Sequence, residues 1–188
     1  MSCLLQIQYN ETLAKAPASQ PQRLDNSQLI ASLTQNTRNA QNPALDSLIN
    51  LLNNTKHDTT RVRILLELVE NIYDDNVWPE YNRQALDIAE KNIPRSKGAV
   101  LLAFKKAKAD ALNNIGYIHK IQGNPDKALK YYQQSLERRR EINDKRGTAE
   151  SINNIGMIYK NQGNPDKALE YYLQSLEIDK ETNNKQGI

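Results

Sequence analysis

Apolar positions recur at three- and four-residue spacing through most of the chain, the period of helices with one buried face. Val62, Leu65, Leu66, Leu68, Val69 and Ile72 form one such stripe, opened by Asp58-Thr59-Thr60 as a cap. Pro79 suits the first turn of a partner helix with Tyr81, Ala85, Leu86, Ile88 and Ala89 inward. Ser96 is placed to cap a long helix reaching Lys120, with Leu101, Leu102, Phe104, Ala107 and Leu112 on one face. Ahead of these, Pro43 to Leu52 reads as a short helix closing one end of the stack. Residues 1–40, rich in Gln, Asn, Ser and Thr, read as a poorly packed arm.

The second half repeats itself. Residues 112–141 align with residues 152–181 at an offset of 40, and 21 of the 30 aligned positions are identical. Each unit reads as two helices. In the first unit Leu112, Ile115, Gly116, Ile118 and His119 are expected inward, Gln122-Gly123-Asn124 breaks the helix, and Gly123 suits a left-handed C-cap. Asn124 and Pro125 then start the second helix, and Asp126 complements its positive end. Ala128, Leu129, Tyr132, Ser135 and Leu136 mark its buried stripe; Ala168, Tyr172, Ser175 and Leu176 follow in the next unit. Gly116 and Ala128, like Gly156 and Ala168, are expected where antiparallel helices approach closely, with Tyr132 and Tyr172 filling the space beside them.

These residues resemble the tetratricopeptide repeat: Ile115-Gly116, Ala128, Tyr132 and Ser135, then Ile155-Gly156, Ala168, Tyr172 and Ser175. The usual period is about 34; the period here is 40, so helices or loops are longer. The resemblance implies an all-α fold, a right-handed α-solenoid of antiparallel helix pairs. Residues 41–188 would form it, with a divergent hairpin over 58–93 and repeats over 96–142 and 144–182. Asn184-Lys185-Gln186-Gly187-Ile188 matches Asp144-Lys145-Arg146-Gly147-Thr148, which reads as the start of a further repeat. The face around Tyr172, Leu173 and Leu176 then needs a cover, from a longer polypeptide or from another chain. Architecture of this kind is similar to the arrays that precede histidine kinase or nucleotide cyclase domains in bacterial signalling proteins.

Composition narrows the function classes. The 25 basic and 22 acidic residues nearly cancel, against the dense basic stripe of a nucleic-acid protein. No apolar run approaches the roughly 20 residues of a membrane span. Cys3 is the one cysteine, so no internal disulfide forms and the compartment stays open between cytoplasm and periplasm. The stretch Cys3-Leu4-Leu5-Gln6-Ile7 reads either as a plain N-terminus or as the tail of a secretory signal. No phosphate loop, dinucleotide pattern, paired metal ligands or nucleophile elbow occurs, so neither an enzyme nor a cofactor is expected. His57 and His119 are expected to be structural or solvated. Arg138-Arg139-Arg140 reads as a solvated run spread over several helix faces, with an anionic site as the rival; Asp74-Asp75 reads as a loop.

Opposite the expected buried stripe, the first unit presents Asn113, Asn114, Tyr117 and Lys120, and the second Asn153, Asn154, Met157 and Lys160. An amide carries two donors and an acceptor, so such asparagines can clamp the backbone of an extended peptide. The alternative is that individual asparagines bond neighbouring helices. In longer-period tetratricopeptide proteins, such as kinesin light chains and peptide-pheromone receptors, helix-A asparagines contact bound peptide, and these four are the matching positions. The expected role is therefore a scaffold that binds a protein or peptide on its concave face. Two alternatives stand beside it: a regulatory module of a larger signalling protein, and self-association as a homodimer through the uncapped end.

Overall fold

The computed structural model describes residues 43–72 and 77–186, with side chains through residue 182. The expected N-terminal arm and Asp74-Asp75 lie outside the described residues. Regular structure among these is helical: α1 (Pro43–Asn54), α2 (Asp58–Asn71), α3 (Trp78–Asn92), a 3-10 turn (Ile93–Arg95), α4 (Gly98–Ile121), α5 (Pro125–Glu141), α6 (Lys145–Asn161) and α7 (Pro165–Gln186). The fold is an all-α solenoid of antiparallel helix pairs.

Local chemistry sets the breaks. Gly123 and Gly163 end α4 and α6 at φ +72° and +75°, and a Cβ at either would meet nothing within 4 Å. Glycine is needed there for its backbone freedom and not for space. The turn after α4 closes with Asn124 N–H on His119 O at 2.9 Å, and the turn after α6 with Asn164 N–H on Tyr159 O at 2.9 Å. Between α5 and α6 there is no glycine; Asn143 takes φ +54° instead, as asparagine tolerates. Asp144 then caps α6 by accepting from Gly147 N at 3.0 Å.

Two expected boundaries shift and one expected cap is not made. Ser96 ends the 3-10 turn, and α4 starts two residues later behind Lys97, with no side-chain cap. Asn124 makes no cap bond; its amide turns back to Gln122 O at 3.4 Å, while Asn164 does cap, accepting from Lys167 N at 3.2 Å. The break expected before residue 184 is not made, and α7 runs on through Gln186.

Hairpins α4–α5 and α6–α7 pack internally, α5 packs on α6, and α3 packs on both α2 and α4. Contacts also run from α2 to α4 and from α4 to α6, which makes these three the inner layer and places α3, α5 and α7 outside. Small residues permit the close approach. A Cβ on Gly116 would stand 2.7 Å from two Tyr132 ring carbons, and one on Gly156 would stand 2.9 Å from Tyr172. Ala128 and Ala168 are buried beside them. Ser135 Oγ donates to Ala109 O at 2.8 Å, and Ser175 Oγ to Ala149 O at 2.9 Å, one tie per hairpin in the same place. Tyr132 also reaches the next unit, sharing a core with Ile152, Ile155 and Ile158. His119 stacks on Tyr131 with ring centroids 5.3 Å apart, and Tyr159 repeats this on Tyr171 at 5.4 Å.

Candidate polypeptide-binding groove

The inner layer is open along its length. Two adjoining cavities of about 830 and 370 Å³ share Leu66, Glu70, Lys106 and Asp110. The larger lies between α2 and α4, floored by Val62, Leu66, Ala103 and Ala107. The smaller continues towards α6, past Asn113, Asn114, Arg146 and Glu150. Lys106 and Arg146, and Asp110 and Glu150, stand one repeat apart, so both units turn the same charged stripe to the groove.

Asparagines on this stripe form cross-links to neighbouring helices, inner and outer. Asn154 Nδ2 donates to Asn113 Oδ1 at 3.0 Å, and Asn113 Nδ2 donates to Glu150 Oε1 at 3.2 Å. Asn114 Nδ2 donates to Asn82 Oδ1 at 2.9 Å, and the buried Asn82 holds Ala111 O at 3.0 Å. Asn113 is 6% exposed, so the buried stripe of α4 includes it and runs through Ala109, Leu112 and Gly116, with Ile115, Ile118 and His119 half-buried. Asn153 differs: it is exposed, and its side chain bonds no described residue. Three of the four predicted asparagines thus hold the array together, and one faces solvent.

Other predicted positions gather further along. Tyr117 is exposed, its ring 6.1 Å from that of Trp78, and Lys120 Nζ lies 4.5 Å over it. The same ammonium is 3.5 Å from Met157 Sδ, and its desolvation moves the Lys120 pKa down. Tyr117, Lys120 and Met157 therefore form one cluster, while Lys160 stands exposed at the far end of α6.

Arg139 corrects the reading of the arginine run. It is 2% exposed and passes from α5 to the inner side, donating to Gly147 O at 2.5 Å, Ser151 Oγ at 3.0 Å and Asp110 Oδ1 at 2.9 Å. Glu150 Oε2 is 3.1 Å away. Burial raises the Asp110 pKa, and the guanidinium beside it pulls the other way. Its neighbours behave as expected: Arg138 pairs with Glu137 and Glu141, and Arg140 is exposed. A legible signal was present, because position 139 lies four residues after Ser135 and seven after Tyr132, on the buried stripe. Lys106, Asp110, Arg146 and Glu150 were also missed; continuing the asparagine stripe one turn towards each N-terminus finds them.

Among the described residues no three His, Cys, Asp or Glu side chains are grouped to hold a metal, and no helix is long and apolar enough to cross a membrane. Compared with known families, residues 108–181, from the middle of α4 to α7, match the tetratricopeptide repeat. These residues are tetratricopeptide repeats. The crystal structure of MamA is similar at 19% identity with a TM-score of 0.40, covering 80% of this chain and 95% of that one. At that score the likeness establishes neither a shared function nor a shared partner. No curated protein matches. Tetratricopeptide repeats are in general protein-interaction modules, and residues 108–181 are of that kind.

Proposed function

We propose that the chain binds a segment of another polypeptide along the inner faces of α2, α4 and α6 and carries out no chemistry on it. The observation that carries this is the continuous open groove: an apolar floor of Leu66, Ala103 and Ala107 beside Glu70, Lys106 and Asn114. An apolar side chain of the ligand seats on the floor, and its backbone meets polar groups at the rim. Because Asn113, Asn114 and Asn154 already hold neighbouring helices, their part is to keep the helices around the groove in register. Direct contacts fall to the exposed Asn153, Lys106 and Arg146, with Tyr117, Lys120 and Met157 supplying adaptable apolar surface and Lys160 a charge at the end.

The test selects peptides from a random displayed library on the immobilised chain, then measures the selected peptides against Ala103→Trp and Lys106→Glu. Both positions are exposed, so neither change disturbs the core. Loss of binding by tenfold or more with an unchanged thermal melt is expected. Peptides that bind the Ala103→Trp variant undiminished would move the site off the groove.

A further inference from the structure

Nine charged side chains line the two cavities of the groove, and the fold engages six of them. Arg63 pairs with Glu67 at 3.7 Å. Arg139 holds Asp110 at 2.9 Å and Glu150 at 3.1 Å, and Asp144 accepts from Gly147 N at 3.0 Å. The other three, Glu70, Lys106 and Arg146, are exposed and make neither ion pair nor hydrogen bond with any described residue. Asp110 stands one turn from Lys106 on α4 and feels its charge, but its carboxylate is bonded to Arg139.

All three border the cavity of about 370 Å³ and come from successive inner helices, Glu70 from α2, Lys106 from α4 and Arg146 from α6. Across the groove the free charges therefore run negative, positive, positive. Packed helices stand about 8–10 Å apart, and an extended or polyproline-II chain advances about 9–10 Å in three residues. In polyproline II every third side chain also returns to the same face. A ligand crossing the inner helices thus meets one free charge at each third residue.

We infer that the ligand is an extended polypeptide segment carrying a basic side chain and then two acidic ones at steps of three residues, an inference that rests on the groove reading above. The base meets Glu70, and the acids meet Lys106 and Arg146. Residues 1–42 of this chain contain no basic and acidic residue three apart, so that segment does not fit the pattern. Charge order of this kind selects among partners, because the inverted order sets like charge against like at every step.

The probes are two dye-labelled peptides, Lys-Leu-Pro-Glu-Leu-Pro-Glu and the same residues in reverse order, which cover both chain directions. Each has a control with every charge inverted. Fluorescence anisotropy is measured against the full chain and three variants: Lys106→Gln/Arg146→Gln, Glu70→Lys/Lys106→Glu/Arg146→Glu, and Ala103→Trp. The substituted positions are exposed, and circular-dichroism melts verify that each variant folds. One of the two peptides should bind the unaltered chain at least tenfold tighter than its inverted control. The double variant should cut that preference at least threefold, and the triple variant should reverse it. Ala103→Trp should weaken peptide and control alike. Equal binding of peptide and control, no binding of either peptide, or a preference kept by the triple variant overturns the inference. If Ala103→Trp still weakens equally bound peptides, the groove reading stands without it; binding indifferent to Ala103→Trp removes both.

Discussion

Gly116 and Gly156 occupy the same place in successive repeats, and replacing each by alanine should have different consequences. A Cβ at 116 would stand 2.7 Å from Tyr132 Cδ1 and Cε1 and 3.1 Å from Cγ. Carbon contacts are comfortable at about 3.5–4.0 Å, so the ring must retreat by roughly 1 Å. It has nowhere to go: Tyr132 is 0% exposed and is packed against Ile152, Ile155 and Ile158. Overpacking of this kind costs about 1–3 kcal/mol, and removing glycine from a helix interior returns about 1 kcal/mol. A net loss of about 1–2 kcal/mol is expected, or a few degrees in Tm. At 156 the new Cβ meets Tyr172 at 2.9 and 3.0 Å and Tyr171 Cβ at 3.2 Å. There the Tyr172 ring is half-exposed at the open end of the array and can swing outward, so the helix-propensity gain offsets the clash to within about 0.5 kcal/mol. Urea unfolding followed by circular dichroism on the two single variants measures the difference. If both lose the same stability, or Gly116→Ala loses none, confinement of the first tyrosine by the second repeat is not what distinguishes the sites.

Arg139→Ala removes a buried cation and leaves Asp110 facing it unpaired, so a loss of about 3 kcal/mol is expected, whereas Glu150→Ala, at a half-exposed carboxylate, should cost under about 1 kcal/mol; denaturant midpoints of the two variants verify the order. Tyr81 and Tyr132 hold buried hydroxyls with no hydrogen-bond partner among the described residues, so Tyr81→Phe and Tyr132→Phe should be neutral or stabilising by up to about 1 kcal/mol in the same assay. Burial raises both phenol pKa values, that of Tyr81 to about 12. Above pH ~10 the unfolded chain releases phenol protons that the folded chain keeps, so stability falls as pH rises through that window, and the Phe variants should flatten this alkaline limb in melts taken at successive pH values. Asp110, its pKa raised by burial, keeps its proton in the fold at pH values where the unfolded chain has lost it. Stability therefore falls as pH rises between the unfolded value near ~3.9 and the raised folded value, and Asp110→Asn should remove that slope.

Sequence alone determined the repeat, its helix pairs and their turn chemistry. A 40-residue self-match, glycines at the helix ends and prolines at the helix starts are local facts, and the backbone obeys local chemistry at Gly123, Gly163, Pro125 and Pro165. The close approach at Gly116 and Gly156 was legible for the same reason, since only a missing side chain leaves room for a tyrosine ring there. Tertiary structure decided which polar residues are spent on holding the array and which remain free. Asn113, Asn114 and Asn154 read as a presented row, yet each finds an acceptor or donor on another helix, because α4 lies within reach of both α6 across the repeat and the preceding α3. Arg139 looked like one of three surface cations; it is drawn inward because two carboxylates from neighbouring helices converge on its position. The exposed face of α7 likewise differs from its buried counterpart on α5 through what packs against it, since Leu169 and Leu176 repeat Leu129 and Leu136 in kind. Periodicity states what each helix offers; the neighbour it meets determines whether the offer is buried, bonded or left for a partner.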